Sequence, residues 1–368
     1  MASIAIDGRK YFDFGIGTTI QQLIRSLSDL KSHHRFIVYT DVADHSNIVL
    51  PFGWENRPIS YKKYSVGEIV KFGRQIRKER VDLFHEPHYT LPIGLRDCSV
   101  VTINDMIHVR FPEFFSVAQR GYAYAMIRHA VAHSRIVIAI SEFTKNDILR
   151  SFKVKEEKIR AIPLGVGTEF RPGRENALLD QFRQKFHLQN EYILYVGNTK
   201  PHKGIGTLLE AYKGIRSSNE LDLVFVGGSV MQDPILSQQI DQLGGAAGIR
   251  DLGRISSDDL ISAYNGARCL VMPSLYEGFG LPVLEAMACG TPVVSSDAGS
   301  LPEVVGNGGL MFKAGKSHEL MGVLQDLLRD PRLKNELIQK GLERAQRYTW
   351  RNTAQRTLDV YEEILKSK

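Results

Sequence analysis

Short apolar runs alternate with amphipathic helix-like stretches along nearly the whole chain. In the first half the runs are Ile4 to Ile6, Phe36 to Tyr39, Leu83 to His85, Val100 to Ile103 and Ile136 to Ile140, with helical stretches such as Thr18 to Leu30 and Val117 to His133 between them. A second series follows at Ile193 to Val196, Leu223 to Val226, Cys269 to Met272, Val293 to Ser295 and Leu310 to Phe312. Strand, helix, strand in succession predicts parallel pairing, because parallel neighbours need a crossover long enough to hold a helix. The alternation breaks at Pro163 to Arg174, where Pro163, Gly165, Gly167, Pro172 and Gly173 predict a linker. The expected fold class is α/β with two Rossmann-like domains, residues 1–167 and 175–349, followed by a C-terminal helix within 350–368.

The 368 residues suffice for two such cores, and 43% hydrophobic with 24% charged residues belongs to a soluble globular protein. No apolar run approaches the length of a membrane span, and the chain enters a strand at Ser3 with no room for a signal segment. Cys98, Cys269 and Cys289 are scattered in or beside apolar elements and read as reduced core residues, which makes the cytoplasm the expected compartment. The net charge of +6 lies entirely in the first half: residues 1 to 170 hold 24 Lys/Arg against 18 Asp/Glu. Residues 57 to 80 alone carry Arg57, Lys62, Lys63, Lys71, Arg74, Arg77, Lys78 and Arg80 against Glu68 and Glu79. That stretch is open to two readings: peripheral contact with an anionic membrane, or a solvated helix whose Val66, Ile69, Val70 and Ile76 face a sheet. Nucleic acid is not expected, since no aromatic residues interleave in an RNA-binding pattern.

Residues 275 to 290 read Leu-Tyr-Glu-Gly-Phe-Gly-Leu-Pro-Val-Leu-Glu-Ala-Met-Ala-Cys-Gly. Pro282 suits a first helical turn and Gly290 a position just past a helix end, so a helix is predicted over Leu281 to Cys289. Gly278 and Gly280 permit close approach of backbone, the helix start favours an anion, and Glu277 and Glu285 can accept hydrogen bonds from hydroxyls. Phosphate plus hydroxyls describes a nucleotide-sugar. Glu277 and Glu285 match the E-x7-E motif of the family-4 retaining glycosyltransferases of GT-B fold. The chain resembles that family from the N-terminal glycine loop through Tyr276-Glu277-Gly278-Phe279-Gly280 to Gly290-Thr291-Pro292-Val293-Val294. The resemblance implies two domains facing a cleft, a C-terminal helix that crosses back to the first domain, a nucleotide-sugar donor and no metal.

It also implies roles for particular residues. Lys203, which follows the strand-end segment Tyr195 to Gly197 and Asn198, matches the diphosphate-binding lysine of the family, and a lysine ammonium suits a departing diphosphate. Relatives often place an arginine where this chain has Asn198 or His202, so Lys200 reads either as a second candidate cation or as an ordinary surface lysine. The implied donor contacts are Gly15, Gly17, Gly197, Asn198, Lys203, Gly278, Phe279, Gly280, Leu281 and Glu285, with Lys203, Glu277, Asp105 and Asn104 nearest the chemistry. Asn104 stands where relatives often carry histidine; an amide cannot take a proton, which fits front-face attack with the leaving phosphate accepting the acceptor's proton. Asp105 reads either as a hydroxyl ligand or as a cap of the next turn. Asp13, His85 and His88 are acceptor-side candidates, the histidines serving equally well as structural hydrogen-bond partners. Ser141-Glu142 reads as a helix cap, and Ser296 to Pro302 as a loop that could also touch nucleotide. No Asp-x-Asp triplet occurs, and Asp258-Asp259 reads as the acidic first turn of a helix. The expectation is a retaining, metal-independent hexosyltransferase, mannose being one option, that uses a GDP- or UDP-sugar and a glycan or lipid-linked acceptor in polysaccharide or lipopolysaccharide synthesis. Rival readings are a GT-B-fold nucleotide-sugar epimerase and a catalytically silent binding protein.

Overall fold

The structure, a computed structural model, describes residues 1–61, 65, 67–216 and 221–367. Lys62, Lys63 and Val66 of the basic stretch lie outside the described residues. The chain divides into two compact units, Met1–Gly165 with Thr349–Lys368, and Val166–Tyr348.

The first unit is built on seven parallel strands: β1 (Ser3–Asp7), β2 (Arg35–Asp41), β3 (Glu55–Ile59), β4 (Leu83–Glu86), β5 (Ser99–Ile103), β6 (Ile136–Ala139) and β7 (Ile159–Ala161), in the order β3-β2-β1-β4-β5-β6-β7. Alternate residues serve opposite faces. Ala5, Phe84, Val101 and Val137 pack with Phe72, Ile76 and Ile127 on one side. On the other, Ile4, Leu83, Val100 and Ile136 pack with Ala354, Tyr361 and Ile364 of the C-terminal helix Trp350–Lys366. That helix is pinned by Thr353 Oγ1 donating to Pro163 O at 2.7 Å and by Arg356 donating to Ala161 O at 2.6 Å.

Six parallel strands build the second unit: β8 (Glu191–Gly197), β9 (Leu221–Gly227), β10 (Ile249–Asp251), β11 (Cys269–Met272), β12 (Val293–Ser296) and β13 (Leu310–Phe312), in the order β10-β9-β8-β11-β12-β13. Both sheets reverse direction of growth once, between β1 and β4 and between β8 and β11. In open parallel sheets, ligands bind outside the carboxyl ends of the strands at such a point.

Three strands have no counterpart among the apolar runs: β3, β7 and β10. All are sheet margins. A margin strand needs less apolar surface, and these read Glu-Asn-Arg-Pro-Ile, Ile-Arg-Ala and Ile-Arg-Asp, with Pro58 tolerable only at an edge. The first long helix also departs from expectation. It spans Phe14–Asp29, so Gly15 and Gly17 lie within its first turn rather than in a loop before it. Gly17 is there for fit, because a Cβ would collide with the carbonyl of Tyr11. The basic stretch is wound as a π-helical turn over Gly67–Phe72 that continues as the α-helix Gly73–Lys78, burying Phe72 and Ile76.

Candidate active site

In the second unit the loops after β8 and β11 meet at the switch point. After β8 the chain makes a 3-10 turn, Pro201–Lys203, then turns left-handed at Gly204 (φ 65°) into the helix Ile205–Arg216. Any side chain at Gly204 would strike the carbonyl of Pro273, and the Leu275 amide donates to His202 O at 2.7 Å, so the two loops are locked together. This close approach delivers Lys203 to Glu277: Nζ donates to Glu277 Oε1 at 2.7 Å. Buried Ser274 donates its hydroxyl to the same oxygen at 2.7 Å, so two donors converge on Oε1. Ser300 holds the turn from behind, its hydroxyl donating to Glu277 O at 3.1 Å and to Phe279 O at 2.8 Å.

The helix that follows spans Leu281–Ala288, with Cys289 as its C-cap and Gly290 left-handed at φ 74°. Pro282 contributes no N–H and the Val283 amide closes on Gly280 O at 3.0 Å, so an anion at this end meets the amides ahead of Pro282. Phe279 is buried against Tyr348, so only its backbone can reach a ligand. One helical turn on, Glu285 accepts a hydrogen bond from Tyr264 at 2.7 Å. Burial pushes its carboxyl up to about 7, the Tyr264 hydrogen bond working the other way and the Glu169 charge adding to the rise. Gly197 and Asn198 sit at the end of β8, where Tyr195 donates to Asn198 O at 2.7 Å. Lys200 is exposed beside them. Asp258 and Asp259 are engaged by Arg174 at 3.3 Å and Lys185 at 2.6 Å in the first turn of a helix capped by Ser256.

At the corresponding edge of the first unit the sequence candidates separate. His85 is a structural residue: buried, it shares Nδ1 with the Tyr361 hydroxyl at 2.6 Å and Nε2 with Thr102 Oγ1 at 2.8 Å, and burial lowers it to about 3. Both ring nitrogens are thus taken by core partners, which removes it from the acceptor side. Asp105 accepts from the Ile107 amide at 3.1 Å, capping the next turn, and Asn104 donates to Pro87 O at 3.2 Å, tying the end of β5 to the loop after β4. Ser141 caps its helix by accepting from the Thr144 amide. His88 is buried and held well below its usual range, first by burial and then by the charges of Lys10 and His108. Asp13 lies 4.0 Å from the ammonium of buried Lys10.

Lys10 belongs to a buried charged group that sequence reading missed: Asp7, Arg9, Lys10 and Glu86 at the ends of β1 and β4. Arg9 forks onto Asp7, with Nε 2.9 Å from Oδ1. Burial works to raise the Asp7 carboxyl, and the Arg9 charge with hydrogen bonds from Arg9 and Glu86 outweighs it, leaving Asp7 below its ordinary range. The available signal was Asp-Gly-Arg-Lys directly after an apolar strand. Among the described residues one group could hold a metal, His33, His34 and Glu362, at the opposite ends of β1 and β2. His34 Nδ1 accepts from the Ala2 amide at 3.3 Å and its Nε2 lies 2.7 Å from Glu362, a tautomer that leaves no lone pair for a metal.

Two doubly wound units, with a lysine and a carboxylate joined across the second switch point, define a GT-B protein. Comparison with known proteins gives the family. Residues 15–170 match the model described as Glycosyltransferase Family 4, and residues 179–344 match Glycosyl transferases group 1. The O-antigen chain mannosyltransferase B of Escherichia coli is 31% identical over 282 residues, 76% of this chain and 74% of that protein. The MMP alpha-(1->4)-mannosyltransferase of Mycolicibacterium hassiacum is 32% identical over 254 residues, 68% of this chain and 59% of that protein. Among solved structures, the sucrose-phosphate synthase of Thermosynechococcus elongatus superposes with a TM-score of 0.81 at 21% identity, covering 100% of both chains. The chain belongs to the family-4 glycosyltransferases and is a sugar-transferring enzyme of GT-B fold.

Proposed function

We propose that this glycosyltransferase moves a hexose, mannose first, from a GDP- or UDP-sugar to a glycan or lipid-linked acceptor, with retained anomeric configuration and without metal. The observation that carries the reading is the meeting of Lys203 with Glu277 at 2.7 Å, eight positions ahead of Glu285 and just before the helix that carries it. Lys203 supplies the charge that a departing diphosphate needs, Glu277 faces the sugar and Glu285 the ribose hydroxyls. The mannosyltransferase names of two relatives favour mannose. With His85 in the core and Asn104 an amide, the leaving phosphate is the acceptor's base. Asp13 and His88 remain the acceptor-side candidates of the first unit, and Gly15 and Gly17 its donor-contact candidates.

Exposed Lys71, Arg74, Arg77, Lys78 and Arg80 favour peripheral contact with an anionic bilayer, whereas Arg57 is already engaged by Glu55 and Glu79. No helix among the described residues is long and apolar enough to cross a membrane.

The test is release of nucleoside diphosphate from GDP-mannose, with and without a mannose-terminated acceptor, before and after EDTA. Acceptor-dependent release that survives chelation is the expected result. Release indifferent to acceptor would favour the epimerase reading. No release, with nucleotide bound, would favour a binding protein. Loss on chelation that magnesium or manganese restores would overturn metal independence.

A further inference from the structure

Glu285 is held by a residue from another helix. Tyr264, fully buried on the helix Ser257–Gly266, donates its hydroxyl to Oε2 at 2.7 Å, and Oε1 makes no hydrogen bond among the described residues. Tyr264 is itself fixed from several directions. Thr291 Oγ1 donates to its backbone carbonyl at 2.7 Å, and Phe170 stands edge-on to its ring at 6.0 Å and 72°. The segment carrying Phe170 is pinned to the same helix: Asn265 donates to Arg171 O at 3.2 Å, and the Arg174 amide donates to Asn265 Oδ1 at 3.3 Å.

We propose that Tyr264 is a positioning residue for nucleotide binding, orienting Glu285 so that Oε1 receives a ribose hydroxyl. The proposal rests on the reading that Glu285 binds ribose. A carboxylate given one fixed donor keeps its plane and rotamer before ligand arrives, and needs no reorganisation to accept a second donor. The titratable groups facing Glu285 are Tyr264 from its helix, Glu169 from the segment ahead and Cys289 one turn on, with Arg171 and Arg174 on the cysteine's side. Burial raises Tyr264 well above its usual range and pushes Cys289 up to about 12, so both stay neutral between pH 5 and 9. The Tyr264 hydrogen bond favours the ionised form of Glu285 and the Glu169 charge disfavours it.

The experiment is calorimetric titration of the full chain with GDP and with UDP from pH 5.5 to 8.5, for the parent, Tyr264→Phe and Glu285→Gln. Parent affinity should rise with pH through the ionisation of Glu285, and Glu285→Gln should flatten that rise. In Tyr264→Phe the midpoint should move to higher pH, and a displacement of one unit weakens binding by about tenfold on the acid limb. Should Tyr264→Phe fail to fold, Glu285→Asp, which keeps the charge but draws the carboxylate back from the Tyr264 hydroxyl, takes its place: its midpoint should rise likewise, and an unmoved midpoint would overturn the proposal. A uniform loss in Tyr264→Phe with an unmoved midpoint would overturn the proposal while leaving the ribose reading intact. Unchanged affinity in Glu285→Gln would overturn both.

Discussion

Lys203 and Glu277 occupy each other at 2.7 Å, so a diphosphate that reaches Lys203 competes with a carboxylate already in place. The exchange favours the ligand because a diphosphate carries more charge and its bond to sugar is breaking. Lys203→Ala should therefore lower kcat by roughly 10² to 10³, measured as initial rate at saturating donor on protein with an unchanged far-UV spectrum. Near-parental turnover would remove Lys203 from the chemistry. Glu285 makes a prediction of the opposite kind, about stability. Its folded-state pKa of about 7 lies above its ordinary value of 4.5, so its contribution is fully present below pH 4.5 and lost as pH rises through 7. Glu285→Gln should melt higher than the parent at pH 8 without ligand, the gap closing toward pH 5. Scanning calorimetry checks it, and an equal shift at both pH values would contradict the assignment. These residues were legible because each sits inside a glycine-marked local pattern. Tyr264 was not, since it lies 21 positions before Glu285 on a different helix and nothing local distinguishes its hydroxyl from that of a core tyrosine. Asp7 and Arg9 stayed hidden for a related reason: three charged residues within four positions at the end of a strand read as surface, yet all three are buried in the fold.

Glycines separate what an element needs from what a ligand needs. Gly204 is left-handed and pressed against Pro273, so Gly204→Ala should cost about 2 kcal/mol or more and displace Lys203 with it. Gly15 is different: it has no positive φ, nothing lies within 4 Å of a Cβ built on it, and it sits in the first turn of an exposed helix end. Gly15→Ala should leave the melting temperature unchanged or slightly raised, because alanine loses less backbone entropy on folding. If substrate backs onto that turn, the same variant should lose turnover. Full activity would show that Gly15 serves no substrate. Element by element, the interior strands were legible because burial on two faces demands continuous apolar runs, as in Leu-Val-Met after Cys269. The margins β3, β7 and β10 were not, because one neighbour and partial cover leave arginine, aspartate and proline admissible. The start of the helix Phe14–Asp29 was misplaced because two glycines read as loop, although a first turn tolerates them.

The first unit is discontinuous in sequence, its sheet being closed on one face by the last helix of the chain. Truncation after Tyr348 removes Ala354, Tyr361 and Ile364 from contact with Ile4, Leu83, Val100 and Ile136, and leaves His85 Nδ1 without the Tyr361 hydroxyl. Limited proteolysis of that truncated chain should yield a resistant core near residues 166–348, with the first unit digested. A resistant fragment covering residues 1–165 would refute this. The same feature sets an order of events during synthesis. The amino-terminal sheet emerges from the ribosome first, yet one apolar face is covered only in part, by Leu23 and Leu27 of the helix Phe14–Asp29, until Trp350–Lys366 is released. Meanwhile the 183-residue unit between them has all its own strands and can fold while still tethered. The unit that is begun first is thus completed only after the other, and a ribosome paused before the helix Trp350–Lys366 has emerged would hold residues 166–348 folded while the first sheet stays incompletely covered and aggregation-prone.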